Sequence, residues 1–90
     1  MSQDLRQLRK KIDQADRALI KALGNRFKAV KEVGVLKRKL KLQIVQKSRW
    51  NEVLRDRIRA ARSEKVSITM VKKIFEIIHG EAIRIQRRKK

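Results

Sequence analysis

Between Leu5 and Leu40 the chain repeats an apolar residue in alternating steps of three and four: Leu5, Leu8, Ile12, Ala15, Leu19, Ala22, then Ala29, Val33, Leu36 and Leu40. That is the period of an α-helix with one continuous apolar face. No proline interrupts it anywhere in the 90 residues. A helix of about 36 residues is roughly 54 Å long, whereas a compact chain of this size has a radius of gyration near ~12 Å. About half of such a helix overhangs anything the rest of the chain could cover. Its face is nevertheless apolar from end to end, so a second copy is expected to bury the overhang. Twofold pairing into a homodimer is the simplest closed solution.

The seam has one fault. Arg26 occupies the step between Ala22 and Ala29. A guanidinium on a packed face is costly unless something pairs with it, and alanines one turn away on either side leave room beside it. The expected feature is a cavity with a cation in its wall, which is a site for an anion.

The remaining chain reads as two further helices, giving an all-α fold of three helices in a single domain, residues 1–90. The first helix is expected over about 3–40, capped by Ser2 with Asp4 in its first turn. Lys41 to Lys47 (KLQIVQK) breaks the helical period, and the β-branched pair Ile44-Val45 suits an extended connection with both side chains turned inward. Ser48 can cap a second helix over about 49–63, with Trp50, Val53, Leu54, Ile58 and Ala61 on one face. After a polar loop, Ser67 can cap a third over about 67–87. Its seam is Val71, Phe75, Ile78, Ala82 and Ile85, broadened by Ile74 and Ile77, and a basic tail occupies 87–90.

Composition removes most chemistries. With no cysteine and a single histidine, His79, thiolate metal sites, multi-histidine metal sites and histidine triads are excluded. No glycine-rich phosphate loop is present and the acids do not cluster at metal-ligand spacing. Neither a metal nor a cofactor is expected, so an enzyme built here must work by positioning and electrostatics. The N-terminal stretch lacks the apolar core of a signal peptide and no apolar run reaches membrane-spanning length, so a cytoplasmic location without membrane contact is expected. There are 27 Lys+Arg against 9 Asp+Glu, a formal charge of +18. Nucleic acid, an anionic membrane or a small polyvalent anion would each match that sign.

Helical geometry groups the cations. Lys37 follows Arg26 by eleven residues and therefore lies about 20° from it around the helix, three turns on. Arg9 precedes Arg26 by seventeen residues, roughly 25 Å along the axis. It cannot reach the same cavity within one chain, but an antiparallel partner could deliver it. On the third helix Gln86 and Ala82 lie about 40° apart beside the apolar seam, and the Gln86 amide can donate to a ligand oxygen. For Trp50 the expected role is packing, and for His79 that of a hydrogen-bonded core or interface histidine.

Taken together, LRKKIDQADRALIKAL (8–23), NRFKAVKEVGVLK (25–37), Arg49 at the start of the second helix and IFEIIHGEAIRIQ (74–86) resemble the all-helical chorismate mutase family over nearly the whole chain. The resemblance implies an intertwined homodimer of three-helix chains. It also implies the unimolecular Claisen rearrangement of chorismate to prephenate, without a covalent intermediate. Carried over, Arg26 and the partner's Arg9 would hold the two substrate carboxylates. Lys37 and Gln86 would donate to the ether oxygen, and Arg49 would help hold the ring end. Three positions depart from the common pattern: Gln46 stands where many members have an acid, Trp50 where they have a glutamate that accepts from the ring hydroxyl, and Ala82 where they have a small hydroxyl. A branch often fused to the entry synthase of the shikimate pathway shows a similar Gln…Arg-Trp-x-Glu segment. An isochorismate-pyruvate lyase on the same fold is the nearest alternative. A non-catalytic helical dimer binding polyanions is the alternative from another class. With Phe27, Trp50 and Phe75 as the only aromatics, all at packing positions, no specific nucleic-acid recognition is expected.

Overall fold

The computed structural model describes residues 4–88. They form α1 (Leu5–Leu40), α2 (Lys47–Ser63) and α3 (Ile68–Arg87), with no strand among them. Asp4 caps α1, its carboxylate accepting the Gln7 N–H at 2.9 Å. The expected Ser2 cap lies outside the described residues. The helix ends at Lys41, which takes the left-handed conformation at φ 55°. There the Leu42 N–H returns to the Lys37 carbonyl at 2.8 Å and satisfies one of the terminal acceptors.

α2 begins two residues before the expected Arg49. Gln46, not Ser48, is its N-cap, and no side chain caps it; Ser48 is already helical. Of the Ile44-Val45 pair only Ile44 turns inward; Val45 is exposed. The helical start at Lys47 leaves a connection too short for both to do so. Ser67 caps α3 as its spacing implies, accepting from the Met70 N–H at 3.2 Å.

α3 packs against both α1 and α2, while α1 and α2 make no close backbone approach to each other. Gly34 marks the crossing of α1 and α3. A β-carbon there would lie 3.1 Å from Gln86 Cγ and 3.2 Å from its Cα, so the glycine sets the closeness of the two helices. The core this leaves is small: Val53, Ala61, Ile78 and Ala82 are its buried apolar residues.

The molecule is elongated, 60 × 28 × 15 Å with a radius of gyration of 16.8 Å. The seam of α1 accounts for this shape. Every residue from Asp4 to Ala22 is exposed, including Leu8, Ile12 and the 59% exposed Leu19. Farther along, Val33, Leu36 and Leu40 are exposed as well, as are Met70, Ile74 and Ile77 of α3.

Candidate active site

A cavity of about 180 Å³ lies where α1, the α2 start and the second half of α3 meet. Arg26 and Lys37 enter it from α1, Gln46, Arg49 and Trp50 from the start of α2, and Ala82 and Gln86 from α3. Seven of the eight positions singled out in the sequence thus share one wall. The eighth, Arg9, sits near the other end of α1, beside Asp4 and Asp13.

Arg26 behaves as a cation without a counter-ion. Its Nη1 is buried and, among the described residues, has no hydrogen-bond acceptor. Burial lowers its pKa, and the positive charges of Arg57 and Arg49 lower it further. A guanidinium stays protonated even so.

Lys37 and Gln86 are fixed against each other. The Lys37 ammonium donates to Gln86 Oε1 at 2.8 Å and to the Ile44 carbonyl at 2.6 Å. Because lysine only donates, this contact settles which way the buried Gln86 amide faces: its oxygen meets Lys37 and its NH₂ is turned the other way. One NH₂ hydrogen reaches the Ala82 carbonyl at 3.3 Å. The second, and the third ammonium hydrogen of Lys37, remain for a ligand. Burial also holds the Lys37 pKa below its ordinary value. The site therefore offers two adjacent donors, one charged and one neutral, already oriented.

The opposite end is aromatic. Trp50 stacks on His79, with ring centroids 4.0 Å apart and planes 11° from parallel. His79 also lines the cavity. Burial lowers its pKa, as do the Arg26 and Lys37 charges; the imidazole is neutral at pH 7 and keeps one acceptor nitrogen. The signal for it was present, since His79 precedes Ala82 by three residues and Gln86 by seven, one helical face. Gly34 was also missed, although an isolated mid-helix glycine is a packing signal. Glu52 does not line the cavity; it pairs with Arg49, both side chains being largely exposed.

A small cavity lined by hydrogen-bond donors and by the counter-ion-free Arg26, in an all-α chain, is chemically suited to a small anion. The family model for chorismate mutase type II matches residues 8–87, and the chain belongs to that family. Its activity is accordingly that of an isomerase converting chorismate to prephenate, in the shikimate route to aromatic amino acids. Comparison with curated proteins and with solved structures returned no match. No helix among the described residues is long and apolar enough to cross a membrane.

Proposed function

We propose that the cavity between α1, α2 and α3 is where chorismate rearranges, with Arg26, Lys37 and Gln86 as its catalytic groups. The observation that carries this reading is the buried, acceptor-less Arg26 Nη1 beside the prearranged Lys37–Gln86 pair. Arg26 holds one carboxylate through charge-assisted hydrogen bonds, which selects the folded-over conformer in which the two reacting carbons touch. As the C–O bond breaks and the C–C bond forms, negative charge grows on the ether oxygen. The free Lys37 ammonium hydrogen and the free Gln86 NH₂ hydrogen face that charge. Their orientation is set before the reaction, so they stabilise the transition state more than the ground state. Arg49 and Gln46 border the ring end, Ala82 leaves space, and the Trp50–His79 stack closes it. The neutral imidazole of His79, which lines the cavity, would accept from the ring hydroxyl in place of the carboxylate that Trp50 displaces.

The second carboxylate requires another cation, and Arg9 supplies it from a partner protomer. The exposed seam supports this assembly. A compact 10.7 kDa monomer would present about 5,500 Å², against the 7984 Å² of this chain. An antiparallel copy laid along α1 covers Leu8, Ile12 and Leu19 and brings its own Arg9 to the neighbouring cavity.

Mixing two inactive variants tests this directly. An equal mixture of Arg9→Ala and Lys37→Ala chains forms heterodimers with one intact site, so activity returns to about a quarter of wild type. If Arg9 acts within its own chain, mixing restores nothing. Supplying isochorismate in parallel separates the lyase reading, since pyruvate release without prephenate formation from chorismate would replace the mutase reaction by that one.

A further inference from the structure

The positive charge of this chain far exceeds what a dianionic substrate needs, and on α1 it is ordered. Positions 6, 10, 13, 17, 21, 24, 28, 31, 35 and 38 are spaced by threes and fours and so share one helical face, as the apolar seam does. Seven of them are Arg or Lys: Arg6, Lys10, Arg17, Lys21, Lys28, Lys31 and Arg38. All seven are exposed. From Arg6 to Arg38 the stripe is roughly 48 Å long, and Asp13 is its one acid. It lies about 140° around the helix from the exposed apolar residues at either end of the seam. A copy docked on those apolar residues therefore leaves the stripe open to solvent.

Where the stripe meets the end of α3, it borders a groove of about 480 Å³ floored by Phe27, Val35 and Ile85. Lys28, Lys31, Arg38 and Arg88 surround it, with no acid in its lining. Arg38 is held in place there, its guanidinium donating to the carbonyls of Gln86 at 3.0 Å and Arg88 at 3.3 Å.

We propose that this stripe is a docking surface for the phosphodiester backbone of duplex nucleic acid, bound without reading of bases. A straight row of cations about one turn apart suits a ligand whose charges are dense and periodic, and a duplex carries one charge per ~1.7 Å of axis. Single-strand binding would want exposed aromatics for stacking. Phe27, Trp50 and Phe75 are all half-buried, and Trp50 is already stacked on His79.

The test compares two charge-matched triple variants of the full chain. One, Lys21→Gln/Lys28→Gln/Lys31→Gln, lies on the stripe. The other, Arg55→Gln/Arg59→Gln/Arg62→Gln, lies on the exposed face of α2. Anisotropy of a labelled duplex of arbitrary sequence is followed across salt concentrations. Each phosphate contact adds about −0.9 to the slope of log K against log salt. The stripe variant should lose about three units of slope and bind about 10²-fold more weakly near 0.15 M salt. The α2 variant should keep the wild-type slope. Chorismate turnover should persist in both, which shows that each folds. Equal losses in the two variants would mean that net charge alone governs binding, and would overturn the proposal. So would polyglutamate or anionic phospholipid vesicles competing better than unlabelled duplex at equal charge, since the stripe would then belong to an acidic protein or a lipid surface. A single-stranded oligonucleotide bound more tightly than the duplex would also refute it.

Discussion

Replacing Arg26 by methionine separates what this residue does for the fold from what it does for the substrate. Methionine keeps a flexible side chain that can lie along the same packing neighbours, but deletes the guanidinium. In the free protein that group carries a buried nitrogen without an acceptor and lies in the field of Arg49 and Arg57. An unsatisfied buried donor costs about 1–3 kcal/mol. Allowing for the packing that methionine does not replace, Arg26→Met should stabilise the substrate-free protein by about 1 kcal/mol, or ~4–8 °C in Tm for a chain of this size. The same change removes two charge-assisted hydrogen bonds to a carboxylate, each ~1.5–3 kcal/mol, and should lower kcat/KM about 10²–10⁴-fold. Calorimetry without substrate, at fixed protein concentration, gives the first number, and loss of chorismate absorbance gives the second. A variant that melts several degrees lower yet retains a tenth of the activity would refute the reasoning, because Arg26 would then be a satisfied structural cation.

Other outcomes follow from the same geometry. Lys37→Met should reduce kcat about 10²–10³-fold with a smaller change in KM, and equal effects on both would place Lys37 in ground-state binding. Burial lowers the Lys37 pKa below 10.5, and the reaction uses its protonated form, so the rate should fall as pH rises through a value below 10.5; a profile flat beyond that pH would contradict this. His79 binds its proton less readily folded than unfolded. Below its ordinary pKa of 6.5 the unfolded chain takes up the proton first, so stability should fall as pH drops from 6.5, and His79→Asn should flatten that limb of a Tm–pH plot. Gly34→Ala pushes a methyl into Gln86; activity should fall at least tenfold, and an unchanged rate would show that the Gln86 position is not critical. Lys41 and Lys65 both hold positive φ, so Lys41→Gly or Lys65→Gly should stabilise by about 0.5–1 kcal/mol in chemical denaturation.

The helices and the α1 and α3 sides of the cavity were legible because both follow from one periodicity, whereas Gln46, Arg49 and Trp50 were reached only through the family resemblance. A three–four alternation fixes a helix and the residues that share its face, and Arg26 stood out as the one charge on that face. Two kinds of detail were not legible in the same way. Cap choice was one: Ser48 is a stronger capping residue than Gln46, yet α2 starts at Lys47, where the Trp50 N–H bonds the Gln46 carbonyl at 3.1 Å. The gain from the docked first turn outweighs one side-chain cap. The other was pairing between elements. Nothing in either helix alone states that Gly34 meets Gln86 or that Trp50 lies flat on His79, since both depend on how α3 is rotated against its neighbours. The separation between Arg26 and Arg9 was legible as a length, and for that reason it pointed beyond the single chain.

The place of α3 has a consequence for the order of events during synthesis. α1 and α2 both rest on α3 and make no close backbone approach to each other, yet a ribosome releases them first. Until residues 68–87 emerge, neither has an intrachain surface against which to bury its apolar face. The nascent chain is then a long basic rod with its leucines in water, held only by local helical hydrogen bonds and marginal by itself. Packing begins at the last helix and proceeds backwards along the sequence. A chain interrupted anywhere before His79 should therefore lack most of the fold as well as its active site, and be cleared by proteolysis instead of persisting as a folded fragment.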